Sequence, residues 1–124
     1  MIMAIALGGA LGAVSRHFVA GRLAGALGLV FPYGTLSVNV LGSFLMGLLV
    51  ELIALKLNLP RPMQAFLTVG FLGAFTTFST FSMEVVLLME RHTLVLALAY
   101  VVLSVVLAVA AFGLGLTLVR QWLV

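Results

Sequence analysis

Cysteine is absent from the 124 residues, which excludes a disulfide framework, thiol chemistry and any cysteine-held metal. Charge is scarce as well: charged residues make up 7% of the chain, six Lys and Arg against three Asp and Glu. The six basic residues are scattered singly, so the sequence pI near 10.2 reflects no basic patch and implies no nucleic-acid partner. Two histidines, His17 and His92, lie far apart in the sequence and do not make a metal site. No nucleophile with a neighbouring base and no phosphate-cradling loop is visible, so enzymatic activity has no support. There is no internal repeat and no low-complexity tract. The first charge is Arg16, and an apolar start without a basic residue ahead of it does not read as a cleaved secretory signal. The first span is therefore expected in the mature protein.

What is present is apolar surface, at 65% hydrophobic residues and a mean hydropathy of +1.38. That is too apolar for a domain surrounded by water, and the chain reads as a single all-α membrane domain. Four spans are predicted, at residues 2–21, 34–55, 63–89 and 94–119. Gly8 and Gly12, four apart, let another helix approach the first span closely. Arg16 lies on the last turns of that span, where it either snorkels to the headgroups or lines a vestibule that attracts anions. Gly21, Gly25 and Gly28 with Phe31 and Pro32 predict a loop or short interfacial segment, and Tyr33 belongs to the aromatic belt. In the second span Asn39 and Ser43 share a face. Asn39 is either interhelical glue or a donor lining a pore. Pro60-Arg61-Pro62 ends one helix and starts the next. Tyr100 and Ser104 share a face of the fourth span, and Arg120-Gln121-Trp122 anchors its end at the interface.

The third span carries the least helix-like stretch, Gly70 to Ser82. Between Arg61 and Glu84 lie 22 uncharged residues, enough to cross a hydrocarbon core of about 30 Å at about 1.5 Å per residue. Gly70 and Gly73 weaken the helix there, and Thr76, Thr77, Ser79 and Thr80 can bond the backbone groups that a break frees. A mid-membrane interruption is predicted, of the kind that points carbonyls at cations and amides at anions. Phe78 and Phe81, three residues apart, share a face beyond it. Glu84 follows one turn later, either hydrated at the membrane edge or rimming an aqueous mouth.

Four spans place both termini on one side. Lys56, Arg61 and Arg120 then fall on the terminal side, and Arg16, Arg22 and Arg91 on the other. Three against three gives no orientation signal, so both insertions are open and head-to-tail pairing of two copies is possible.

These residues resemble the small fluoride channels called Fluc, or CrcB-type proteins. The resemblance rests on Gly8 to Ala13 with Arg16, on Gly34 to Phe44 including Asn39, on Gly70 to Gly73 with Thr76 to Phe81, and on Tyr100 with Ser104. It implies an antiparallel, dual-topology homodimer in a bacterial plasma or inner membrane, exporting fluoride passively through two pores lined by both subunits. By position it implies that Phe78, Phe81 and Asn39 face the pores, that Ser79, Thr80, Tyr100 and Ser104 form a polar track, and that Glu84 is the acid near a pore mouth. It further implies that Arg16 lies at the vestibule, and that backbone carbonyls of Gly73 and Thr76 hold a central sodium ion. Ala108 departs from the pattern, since some members carry a hydroxyl there.

Two other classes are distinguishable. A small four-span multidrug exporter coupled to protons needs an acid in its first span, and here no acid precedes Glu51. A structural assembly subunit without transport predicts that the hydroxyl and Asn39 faces are glue alone, and that the pure protein passes no fluoride.

Overall fold

A computed structural model describes residues 1–124. It is all helical: α1 (Ile2–Leu27), α2 (Tyr33–Leu55), α3 (Arg61–Ala65), a π-helical segment Phe66–Leu72, α4 (Gly73–Phe75), α5 (Ser79–Arg91) and α6 (Leu94–Leu123). Four helical stretches, Ile2–Leu27, Tyr33–Leu55, Arg61–Arg91 and Leu94–Leu123, are long and apolar enough to cross a membrane. Only 20 of the 124 residues are buried within the chain, and the outward surface is a near-continuous layer of Leu, Val, Met and Phe. Such a surface is stable only against lipid or another apolar protein face.

The first helix differs from expectation. Gly21 and Gly25 lie inside it, and it ends only at Gly28, whose φ of 118° is the one positive value in the chain. Glycine costs a helix about 1 kcal/mol in water, but in and near lipid an unpaired peptide group costs more than that, so the helix continues through both glycines.

Backbone-to-backbone packing sets the relative positions of the helices. A Cβ on Gly8 or Gly12 would collide with backbone atoms of Phe66 and Phe71 in the third span, and one on Gly70 would sit 2.9 Å from the Ile5 carbonyl oxygen. The close approach expected at Gly8 and Gly12 is thus made by the π-helical segment. Likewise Gly47 and Gly115 bring α2 and α6 together against the backbones of Phe112 and Phe44. Small residues allow this contact, which supplies dispersion energy where lipid removes the hydrophobic driving force. At one end of the α2 and α6 pair, Arg120 Nε donates to Glu51 Oε1 at 2.5 Å. Glu51 is buried, a position its place near the end of the second span does not reveal.

The third span is interrupted. Thr76 leaves the helix in an extended conformation, φ −87° and ψ 158°, and the helix resumes at Ser79. The three residues Thr76 to Phe78 are therefore non-helical inside a long apolar stretch.

Candidate functional site: the break and the cavities around it

The interruption is held open by α2. Asn39 Nδ2 donates to the Thr77 carbonyl oxygen at 3.0 Å, while the Thr77 amide donates to Asn39 Oδ1 at 2.7 Å. In a continuous helix that amide would donate to the Gly73 carbonyl. No other backbone amide replaces it, and the amide of Thr80, the helical partner of the Thr76 carbonyl, donates to Thr77 Oγ1 at 3.1 Å instead. The carbonyl oxygens of Gly73 and Thr76 are left without a hydrogen bond. Asn39 is thus interhelical glue of a particular kind, standing in for a peptide unit, with its second N–H uncommitted.

Two cavities meet at this junction and a third lies farther along α5. One of about 290 Å³ is lined by Asn39, Ser43, Thr76, Thr77, Phe78, Phe81 and Ser104, with Val105, Ala108 and Val109 closing it. The Phe78 and Phe81 rings lie 5.5 Å apart at 48°. They differ in setting, since Phe78 is 78% exposed and Phe81 only 9%, packed 5.1 Å from the Tyr100 ring. A second cavity, about 320 Å³, carries Arg16, His17, Thr35, Thr77 and Thr80. Arg16 is half-buried there and makes no ion pair. The third, about 360 Å³, opens at the far end of α5 among Thr35, Glu84, Arg91 and His92. Thr35 belongs to two of these cavities and Thr77 to two, so one polar seam runs beside α5 from Arg91 to Asn39.

Glu84 sits within that seam, half-buried. Thr35 Oγ1 donates to its Oε1, and the hydroxyl of Tyr100, which is fully buried, lies 3.5 Å from Oε2. A carboxylate with acceptors turned toward two hydroxyls is the arrangement a half-buried acid requires.

The structure therefore brings Asn39, Phe78, Phe81, Thr76 and Ser104 to one cavity, and Arg16 and Thr80 to its neighbour. Glu84 and Tyr100 join through their hydrogen bond. Ser79 is exposed, its Oγ 3.5 Å from that of Thr77, and Gly73 is exposed on the outer side of the break. Sequence reasoning gave Thr35 no role and named Thr77 only as a hydroxyl for freed backbone groups, which it is for the Thr80 amide; that the backbone of Thr77 pairs with Asn39 was not legible. The signal for Thr35 was present in the spacing Thr35, Asn39, Ser43, a polar stripe at every fourth residue of an apolar span, which is one helix face.

Residues 3–116 match the family described as CrcB-like protein, Camphor Resistance (CrcB). The chain belongs to that family. It is 48% identical over 120 residues to the fluoride-specific ion channel FluC of Chelativorans sp., covering 97% of this chain and 96% of that one. It is 49% identical over 120 residues to the fluoride-specific ion channel FluC of Agrobacterium fabrum, with the same coverages of 97% and 96%. A third FluC, from Granulibacter bethesdensis, is 53% identical over 114 residues, covering 91% of this chain and 89% of its own. With four helices long enough to span and relatives named as ion channels, the protein is a multi-pass membrane protein and not an enzyme.

Proposed function

We propose that this chain is a fluoride channel that lets cytoplasmic fluoride leave passively, down its electrochemical gradient, and so limits fluoride toxicity. The observation that carries the reading is the cavity at the helix break, where two phenyl rings meet the Asn39 amide and the Ser104 hydroxyl, in a chain about half identical to relatives named for this activity. Fluoride is small and strongly hydrated, so a path for it must replace water with donors without holding the ion too tightly. Hydroxyls and the spare Asn39 N–H are such donors. A phenyl ring presents a positive edge to an anion and a negative face, so Phe78 and Phe81 attract fluoride edge-on and keep the passage narrow. Arg16, unpaired beside Thr77 and Thr80, raises the local anion concentration.

The functional unit in this reading is an antiparallel homodimer with two pores. Its support is the balanced Lys and Arg count together with Phe78, a ring at a cavity wall that is 78% exposed in the single chain. A second copy inserted in the opposite orientation covers it, and closure follows from a two-fold axis in the membrane plane. The interruption at Thr76 to Phe78 then lies near the bilayer midplane.

A sodium ion belongs to the same reading. Hard cations take oxygen ligands, and the Gly73 and Thr76 carbonyl oxygens are free of hydrogen bonds. These residues fit the ion without any acidic side chain. When bound, a single positive charge about 10 Å from an anion is worth roughly 1.7 kcal/mol at an effective dielectric near 20, which offsets part of the anion's desolvation.

The decisive experiment is efflux from liposomes containing only this protein. Fluoride should leave and chloride should not. Comparable fluxes of the two ions would sink the proposal, and no flux of either would favour the structural-subunit alternative.

A further inference from the structure

Two serines line the cavity that Phe78 and Phe81 wall, and neither hydroxyl has a hydrogen-bond partner in the protein. Ser104 Oγ is fully buried and makes no hydrogen bond. Ser43 lines the same cavity from α2, one turn beyond Asn39, and it too makes none. Helical hydroxyls ordinarily bond back to the carbonyl four residues earlier. Thr68, Thr76, Ser82 and Thr117 all do so here, at 2.7 to 3.0 Å. Of the hydroxyls that have no partner, Ser43 and Ser104 are the two that share a cavity.

Their placement is complementary. On α6 the hydroxyl of Ser104 is followed one turn later by the methyl group of Ala108, and Ala108 lines this cavity as well. The donor row on α6 stops there. On α2 the polar row goes on: Thr35 is engaged by Glu84, Asn39 by Thr77, and Ser43 is free. Steps of four residues advance about 6 Å along a helix, a separation that lets an ion pass from donor to donor without leaving the row.

We propose that Ser43 is a fluoride-contacting residue, its hydroxyl supplying on α2 the hydrogen-bond donor that Ala108 does not supply on α6. A hydroxyl suits the task because it rotates freely and donates one hydrogen, which holds a small anion weakly enough to release it. The assignment rests on the fluoride-channel reading and deepens it, since it names a donor in the same cavity.

The test uses the full chain in proteoliposomes, comparing wild type, Ser43→Ala, Ala108→Ser and the double variant, with thermal melting of each in detergent. Loss of one hydrogen bond to an ion corresponds to about a tenfold change, so Ser43→Ala should lower fluoride efflux about tenfold. The double variant should recover at least half of the wild-type rate, because a hydroxyl is restored across the same cavity. Ser43→Ala removes one oxygen and adds no volume, so its melting temperature should match wild type. Wild-type efflux from Ser43→Ala would overturn the assignment, and so would a loss that Ala108→Ser fails to recover. Failure of the channel reading is distinct, since wild-type liposomes would then release no fluoride.

Discussion

The side-chain amide of Asn39 satisfies both backbone polar groups of Thr77, accepting from its N–H at 2.7 Å and donating to its carbonyl at 3.0 Å. A side chain on α2 thereby replaces the helical partners that the third span gives up at its break. Pairing both backbone groups of Thr77 offsets part of the cost of the break, and the unpaired carbonyls of Gly73 and Thr76 flank it. In the proposed channel, stability and conduction would be coupled through this one residue.

Asn39→Asp keeps the acceptor for the Thr77 amide but loses the donor to its carbonyl, leaving two acceptors face to face. Such a loss at a buried site costs about 1 to 3 kcal/mol. The variant should melt at a lower temperature than wild type and pass at least about tenfold less fluoride. Unchanged melting and unchanged efflux would show that the Asn39 and Thr77 pairing is dispensable.

The two phenylalanines should separate packing from conduction. Phe78 is exposed, whereas Phe81 packs on Tyr100. Phe78→Ile should therefore lower fluoride efflux sharply and lower the melting temperature less than Phe81→Ile does, since it loses one ring pair within the chain where Phe81→Ile loses two. Phe81→Ile should lower both, the stability loss being about 1 kcal/mol for each lost aromatic pair. Chemical denaturation of the purified protein beside flux measurements checks this, and wild-type flux in both variants would return the rings to packing alone.

Sodium should be required, and its requirement should survive side-chain changes that spare the backbone. Replacing sodium by a bulky organic cation is expected to reduce fluoride efflux, while Thr76→Ser, which keeps the carbonyl and the hydroxyl, should retain wild-type efflux in sodium. Efflux indifferent to the cation would remove the ion from the account.

The Glu51 and Arg120 pair offers a test of stability away from the cavities. Arg120→Met leaves the buried Glu51 carboxylate without its partner, whereas Glu51→Gln leaves a neutral amide that still accepts from Arg120. The first should destabilise more than the second, by about 1 to 3 kcal/mol, because an uncompensated buried charge is the costly state. Melting temperatures of the two variants check the order. Fluoride efflux per folded protein should be the same in both.

A pair of lysines added after Val124 should bias insertion. The Lys and Arg count becomes five against three, since the terminal side begins with Lys56, Arg61 and Arg120, and the more basic side is retained in the cytoplasm. Fluoride efflux should fall in cells carrying that variant alone and recover when an oppositely biased copy is co-expressed. A single orientation of the unmodified chain, read with reporter fusions, would refute dual topology.

Composition and run length determined that this chain is a four-helix membrane protein, because lipid leaves almost no other way to satisfy a peptide backbone. Spacing also placed Phe78 with Phe81, and Tyr100 with Ser104, on common faces, since a helix face is fixed by its own period. What spacing cannot supply is which face meets which. Asn39 finds Thr77 across 38 residues, Thr35 finds Glu84 across 49, and Glu51 finds Arg120 across 69. Those partners are chosen where glycines let backbones touch: Gly8 and Gly12 against the third span, Gly47 and Gly115 between α2 and α6. The same limit explains the extension of α1 through Gly21 and Gly25, residues that read as a loop by propensity. In the packed chain, the need to pair every peptide group near lipid outweighs a glycine's preference for disorder.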